Sequence, residues 1–196
     1  MTVFIVRMVT SVIFVISIAV YFKGGKSVVD DIKESRRTTG KTYISVLILF
    51  MTMDVMAIIA ALLFTSFGFF TSLISNVYLI TASCIIFVIF KSLMILTRYM
   101  YLGRNWNANI TINDDAQIVT NGPYNMVRHP IYTFSIINYS LFCISFASLP
   151  VLILSSFMII SYFVLCNIED GILDGNLAGY DEYKKSVKYK LIPYIY

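Results

Sequence analysis

Apolar residues along this chain fall in long runs separated by polar stretches. Residues 2–22 (TVFIVRMVTSVIFVISIAVYF), 43–65 (YISVLILFMTMDVMAIIAALLFT) and 74–97 are each about 20 residues long, enough to cross about 30 Å of hydrocarbon as a helix. Residues 131–148 and 151–168 form two more runs divided by Pro150. The short turn at 66–71, punctuated by Gly68, makes the second and third runs an antiparallel hairpin. Pro150 marks the turn of another hairpin between the fourth and fifth runs. The pattern predicts an all-α integral membrane protein with about five transmembrane helices. Those spans use nearly all the length, so residues 1–196 are read as a single membrane-embedded domain, with 169–196 as a C-terminal interfacial segment.

The polar stretches set orientation. Residues 23–41 form a surface loop after Gly24-Gly25, and 98–128 is the longest non-apolar segment, with Trp106 suited to a headgroup-level anchor. The tail from Glu169 is tyrosine-rich and basic. Its pattern at Tyr180, Tyr183, Val187 and Leu191 predicts an amphipathic helix lying at the interface. With five spans, both long polar segments and the tail share one side. Every Lys and Arg except Arg7 falls on that side or at its border, so the positive-inside rule puts the N-terminus outside and the C-terminus in the cytoplasm. Arg7 interrupts the first run near its start and is expected to snorkel to the interface. A signal peptide is the rival reading of that run; its end at Tyr21-Phe22 lacks a small-residue cleavage site.

Composition agrees: 58% of residues are hydrophobic and 13% charged, against about 45–50% and about 25% in soluble domains. The net charge of +4 flanks apolar spans, which argues against nucleic acid as a partner. Cys84, Cys143 and Cys166 lie within apolar runs, without metal-ligand spacing, and a lone His129 cannot complete a zinc set. They read as small core residues, and no metal is expected. Within the spans, Asp54 and Lys91 are expected to pair, because intramembrane charges are costly alone. Asn138 is expected to bond a neighbouring helix. The N-x-S/T matches at Asn109 and Asn138 lie in a cytoplasmic loop and a span, so glycosylation is discounted.

The densest chemistry lies in GPYNMVRHPIY, Gly122 to Tyr132, which opens the fourth run. Pro130 suits the first turn of a helix. A helix start carries partial positive charge and free N–H groups, strengthened here by Arg128 and His129, and so attracts an anion. Pro130 lies 20 residues before Pro150 and Glu169 lies 19 after it. At about 1.5 Å per residue, both ends are about 30 Å from the turn, at the same cytoplasmic face. The Glu169-Asp170 pair therefore meets the helix start. A ligand carrying both a carboxylate and a cation suits that combination, with Tyr124 and Tyr132 adding ring contacts.

At these residues the chain resembles the isoprenylcysteine carboxyl methyltransferase family and the related membrane phospholipid methyltransferases. The resemblance rests on QIVTNGPYNMVRHPIY (Gln117–Tyr132), Glu169-Asp170, GYDEYKKSVKYKLIP (Gly179–Pro193) and the lead-in YLGRNW (Tyr101–Trp106), and covers roughly the last hundred residues. It implies a membrane enzyme using S-adenosylmethionine, bound by Ala116, Gln117, Ile118, Val119, Tyr124, His129, Pro130, Tyr132 and Glu169. The acceptor implied is lipid-like or hydrophobic, such as an isoprenylcysteine carboxylate, entering sideways from the bilayer. A carboxylate acceptor needs no base; for an amine or thiol, Glu169 or Asp170 could take the proton. The chain departs from the family in three places: Leu165 stands where an arginine holds the substrate carboxylate, Asp170 where a second glutamate is usual, and Lys190 where arginine is usual. The first departure leaves the acceptor open. Other readings are a nicotinamide-dependent (NADPH) reductase of sterol-like lipids and a non-enzymatic membrane binder or transporter.

Overall fold

The computed structural model of the protein describes residues 2–22, 59, 76–102 and 117–196. The predicted span at 43–65, the turn at 66–71, the loop at 23–41, Asp54, Trp106 and Ala116 lie outside these residues. Among the described residues every regular element is helical: α1 (Thr2–Phe22), α2 (Val77–Thr97), α3 (Pro130–Phe146), α4 (Leu149–Asn176) and α5 (Tyr180–Ser186). A π-helical turn, Arg98–Leu102, prolongs α2, and a 3-10 turn covers Gly122–Asn125.

The boundaries follow local chemistry. Asn76 caps α2, its side-chain oxygen accepting from the amides of Tyr78 and Leu79 at 3.0 and 3.2 Å. Pro130 opens α3 at its first position, as its sequence predicts. The hairpin turn is displaced from the predicted one. α3 ends at Ala147 in a left-handed conformation (φ 46°), Ser148 is extended, and Pro150 lies inside the first turn of α4. A proline is easily housed there because a first-turn amide has no intrahelical partner.

α4 is 28 residues long and runs unbroken through Glu169 and Asp170 to Asn176. The predicted end at residue 168 marks where the apolar run stops; a polar residue ends a span but does not end a helix. The tail differs too. α5 stops at Ser186, and Tyr180, Tyr183 and Val187 bury against Ile118, Leu173 and Leu177 of the protein itself. The predicted amphipathic helix thus turns its apolar side to α4 instead of to an interface.

Side-chain pairs give the helix directions. Ser83 and Ser145 hydroxyls lie 2.9 Å apart, and Ser135 donates to the Met94 sulfur at 3.5 Å, so α2 and α3 are antiparallel. Thr10 donates to the Cys84 sulfur at 2.9 Å and the Phe14 ring lies 5.8 Å from Phe87, so α1 runs parallel to α2. Where the three meet α4, the core is aromatic: Phe14, Phe87, Tyr139, Phe142 and Phe146 with Val151 and Met158. Phe14 stacks on Phe142 at 5.0 Å. The Lys91 ammonium sits 5.2 Å from the Phe14 ring centre, a cation–π contact.

The outside is as apolar as the inside. Ile153, Phe157, Ile160, Val164 and Ile168 form an exposed stripe along α4, and Ile85, Ile86, Ile89, Leu93 and Leu96 do so on α2. Water would not tolerate such continuous stripes, whereas lipid does. Among the described residues two helices, Val77–Leu102 and Leu149–Asn176, are long and apolar enough to cross a membrane; Phe4–Ile16 and Pro130–Phe146 are shorter apolar helices.

Two buried polar residues depart from expectation. Arg7 does not snorkel: it is 7% exposed, and its Nε donates to the Ser145 carbonyl at 3.0 Å. That oxygen lies in the last turn of α3, where carbonyls lack helical partners and the dipole favours a cation. Asn138 is 2% exposed, and among the described residues neither its side-chain nitrogen nor its oxygen has a hydrogen-bond partner. The expected interhelical bond is absent among them, at a cost of about 1–3 kcal/mol for an unpaired buried polar group.

Candidate active site

Gly122 starts the site. Its φ of +60° suits glycine, and a Cβ there would fall on the Tyr101 ring of the π-helical turn. The 3-10 turn that follows buries Tyr124, whose carbonyl accepts the Tyr183 hydroxyl at 2.7 Å. Gly179, at φ +79°, gives the left-handed start that α5 needs to bring Tyr180 and Tyr183 inward.

The tail then docks on the segment before α3. The amides of Arg128 and His129 donate to the carbonyls of Tyr189 and Lys190, each at 2.9 Å. Thr133 donates its hydroxyl to the Leu191 carbonyl at 2.6 Å. The Arg128 guanidinium donates through Nε and Nη2 to the two Asp170 oxygens at 2.9 and 3.0 Å. Its Nη1 reaches the carbonyls of Val187 and Lys188 at 2.8 and 2.9 Å. One planar fork therefore joins α3's lead-in, α4 and the tail.

Asp170 is the hub. Its Oδ1 also accepts the Tyr180 hydroxyl at 2.8 Å and lies 3.2 Å from His129 Nε2, while Lys190 Nζ lies 3.3 Å from Oδ2. Both oxygens are thus engaged, and its side chain is 7% exposed. The other imidazole nitrogen, Nδ1, lies 3.5 Å from Glu169 Oε2. Glu169 is the more open carboxylate, its side chain 25% exposed. The Tyr132 ring lies 5.7 Å from the imidazole and is nearly parallel to it.

The electrostatics follow from these contacts. Burial works against an imidazolium at His129, but Asp170, Cys166 and Glu169 outweigh it and hold the His129 pKa well above its ordinary value. Burial likewise opposes the Arg128 charge, and Asp170 reverses the balance, so its pKa is raised. Burial, then the bond to Asp170, raises the Tyr180 hydroxyl. Burial pushes Tyr183 up to about 12.

The structure brings Arg128, His129, Tyr132, Glu169 and Asp170 into one cluster over the start of α3. Pro130 is fully buried beneath it. Ile118 packs against the tail cluster, Gln117 is exposed and Val119 is half-buried. Three expectations change. Arg128 does not draw an anion to the helix start, because its guanidinium is already held by Asp170 and the tail. Asp170 is not open as a proton acceptor, because both its oxygens are occupied. The helix start is also less open than expected, since the amides of Tyr132 and Thr133 both turn back to the His129 carbonyl at 3.1 Å. Tyr180 and Lys190 join the cluster, although the sequence marks neither as a site residue. Tyr180 follows Asp170 by ten residues, a spacing with no local signal, and only the reversal of chain after Asn176 brings it back.

Described by fold and site, this is a helical membrane protein with a buried ionic cluster at one end of its last helical hairpin. A family model for the isoprenylcysteine carboxyl methyltransferase (ICMT) family matches residues 83–171, from within α2 to just past Asp170. The match supports assignment to that family and agrees with the resemblance of the same residues; the family is one of membrane-associated methyltransferases. No curated protein matches the chain.

Proposed function

We propose that the chain is an S-adenosylmethionine-dependent methyltransferase that crosses the membrane five times and acts on a lipid-like acceptor. The N-terminus lies outside and the cofactor site on the cytoplasmic side. The observation that carries the reading is Glu169, a half-open carboxylate at the mouth of a cluster that lies within the family match. The parallel course of α1 and α2 also supports the five-span plan, because the chain has to return between them.

The residues present suit the cofactor. When bound, its sulfonium would supply an electrophilic methyl group to the acceptor's lone pair, the S–CH3 bonding electrons staying on sulfur as a neutral thioether departs. Glu169 offers a carboxylate to the cofactor's cationic end, and Tyr132 offers a ring face. His129 holds Glu169 in place and is itself held by Asp170. Asp170 and Arg128 are positioning residues that keep the tail folded over the site; Glu169 is the residue left able to accept a proton from an amine or thiol acceptor. Leu165, one turn deeper than Glu169 on α4 and 8% exposed, offers an apolar wall where an acceptor carboxylate would need a cation. Alignment of the two reactants and exclusion of water are the protein's main contributions. The family match supports a methyltransferase and lends nothing to a reductase or a transporter.

Titration of the purified full-length protein with S-adenosylmethionine and with NADPH tests this. Saturable binding of the first, weakened at least tenfold in Glu169→Gln, is expected. Binding of NADPH alone, or S-adenosylmethionine binding indifferent to Glu169→Gln, overturns it.

A further inference from the structure

The turn at residues 192–196 closes on itself and displays its side chains. The amides of Ile195 and Tyr196 donate to the Ile192 carbonyl at 3.1 and 3.0 Å, and those of Leu191 and Ile192 donate to the Tyr196 main-chain oxygen at 2.8 Å each. Pro193 and Tyr194 occupy the middle of this turn. Tyr194 has a φ of 66°, in the place after a proline where such a turn ordinarily takes glycine. A side chain there strains the backbone. The ring so displayed is 85% exposed, and Ile195 beside it is 78% exposed. Before this turn the tail does the opposite, burying Tyr180, Tyr183, Val187 and Leu191.

Its contacts place the turn on the outer side of α4. The Tyr196 ring meets Phe163 edge-on, with centroids 5.7 Å apart, and its hydroxyl donates to the Asn167 side-chain oxygen at 3.0 Å. Lys190 Nζ donates to the same oxygen at 2.6 Å. Asn167 is exposed and stands two helical turns from Ile160, within the exposed apolar stripe of α4. α5, by contrast, meets α4 at Asp174, which accepts the Lys184 ammonium at 2.6 Å. Asp174 is seven residues beyond Asn167, so at about 1.5 Å per residue the Tyr196 contact lies about 10 Å deeper toward the hydrocarbon than the α5 contact.

We propose that residues 192–196 are a membrane anchor: Tyr194 and Ile195 seat in the phospholipid headgroup layer beside α4, and that contact helps hold the tail closed over the ionic cluster. Phospholipid is the occupant because the turn continues the apolar stripe of α4 at the level where the stripe meets polar residues. A tyrosine suits that level, with an apolar ring and a hydroxyl that stays wet. Residues 183–196 carry four lysines and no acidic residue, which suits a layer of phosphates. The link to the site is short. Leu191, just before the turn, is fully buried and its carbonyl accepts the Thr133 hydroxyl, and the carbonyls of Tyr189 and Lys190 hold the amides of Arg128 and His129. The interfacial contact expected of α5 thus passes to the turn behind it. The proposal requires only a bilayer and is independent of the methyl acceptor.

The test uses the whole chain in nanodiscs of phosphatidylcholine and phosphatidylglycerol. In a Trp106→Phe background, which removes the chain's one tryptophan, Ile195→Trp and Glu182→Trp each carry a single reporter; Glu182 lies exposed on α5. The phosphatidylcholine is then exchanged for one brominated near the carbonyl end of its acyl chain. Expected is loss of most of the emission at position 195 and little loss at 182. Equal quenching at the two positions, strong or weak, overturns the proposal. Tyr194→Trp takes the place of Ile195→Trp should that variant misfold. The hold on the tail is read separately, in Ile195→Asp without a reporter. Trypsin cleavage at Lys184, Lys185 and Lys188 in the same nanodiscs is expected to rise roughly tenfold, as an apolar side chain leaves its layer. A rate equal to wild type overturns the anchoring of the tail.

Discussion

Asp170→Asn keeps the shape of the side chain and removes its charge. In wild type the carboxylate and the Arg128 guanidinium have side-chain exposures of 7% and 5% and meet through two bonds of 2.9 and 3.0 Å. Breaking one partner of such a buried pair typically costs about 3–5 kcal/mol, because the other charge stays buried. Here Arg128 retains the carbonyls of Val187 and Lys188, so the lower end, about 3 kcal/mol, is expected. The loss falls on the contact between the tail and the rest of the protein. At about 1.4 kcal/mol per factor of ten, it raises the opening equilibrium of residues 177–196 by roughly 10²-fold. Limited trypsin cleavage at Lys184, Lys185 and Lys188, with dilute protease so that opening and reclosing are faster than cutting, reads this population directly. Arg128→Met and the double variant Arg128→Met/Asp170→Leu complete the test. The single changes expose the tail, while the double change recovers much of the protection, since a buried pair is often replaceable by apolar residues. Cleavage of Asp170→Asn within twofold of wild type would refute the view that this pair holds the tail.

Stability depends on pH through His129. Its folded pKa is raised, so its contribution is fully present below the unfolded value of about 6.5 and is lost as pH rises through the folded pKa. Thermal unfolding midpoints should therefore fall from pH 6.5 upward, and His129→Gln should flatten that slope; a parallel slope in the variant excludes His129 as its source. Tyr180→Phe removes a bond to a carboxylate and should cost about 1.5–3 kcal/mol, whereas Tyr183→Phe removes one to the Tyr124 carbonyl and should cost about 0.5–1.5 kcal/mol. Equal midpoints for the two variants contradict the ranking. Gly122→Ala places a methyl group on the Tyr101 ring and an L-residue at φ +60°, so a loss of about 1–3 kcal/mol from backbone strain is expected in addition to the overlap. Adding Tyr101→Ala should recover only the overlap, which comparison of the three unfolding midpoints measures.

Much of the site could be read in one dimension because a helical hairpin is a ruler. Distance from its turn sets depth, so Pro130 and Glu169 were bound to come out at one end, and the contacts of His129 with Glu169 and Asp170 lie where that count puts them. Helix limits at Asn76 and Pro130 were also local matters of capping and missing amides. Roles inside the cluster were not local. Arg128, His129, Glu169 and Asp170 are adjacent pairs with similar chemistry on paper. Which carboxylate is saturated and which stays open depends on the rotation of α4 and on where Val187, Lys188 and Tyr180 return.

The sequence by itself determined that the protein is helical and apolar on its outside, and that two polar clusters share a layer. Run lengths, proline positions and charge distribution are properties of consecutive residues, and the bilayer turns them directly into depth. Only the tertiary structure decided that Arg128 and Asp170 act as a clasp for the tail, that Arg7 turns inward to the end of α3, and that Asn138 finds no partner among the described residues. Those outcomes hang on which face each helix presents to its neighbours, a rotation that uniformly apolar runs leave unspecified, because lipid and core accept the same side chains.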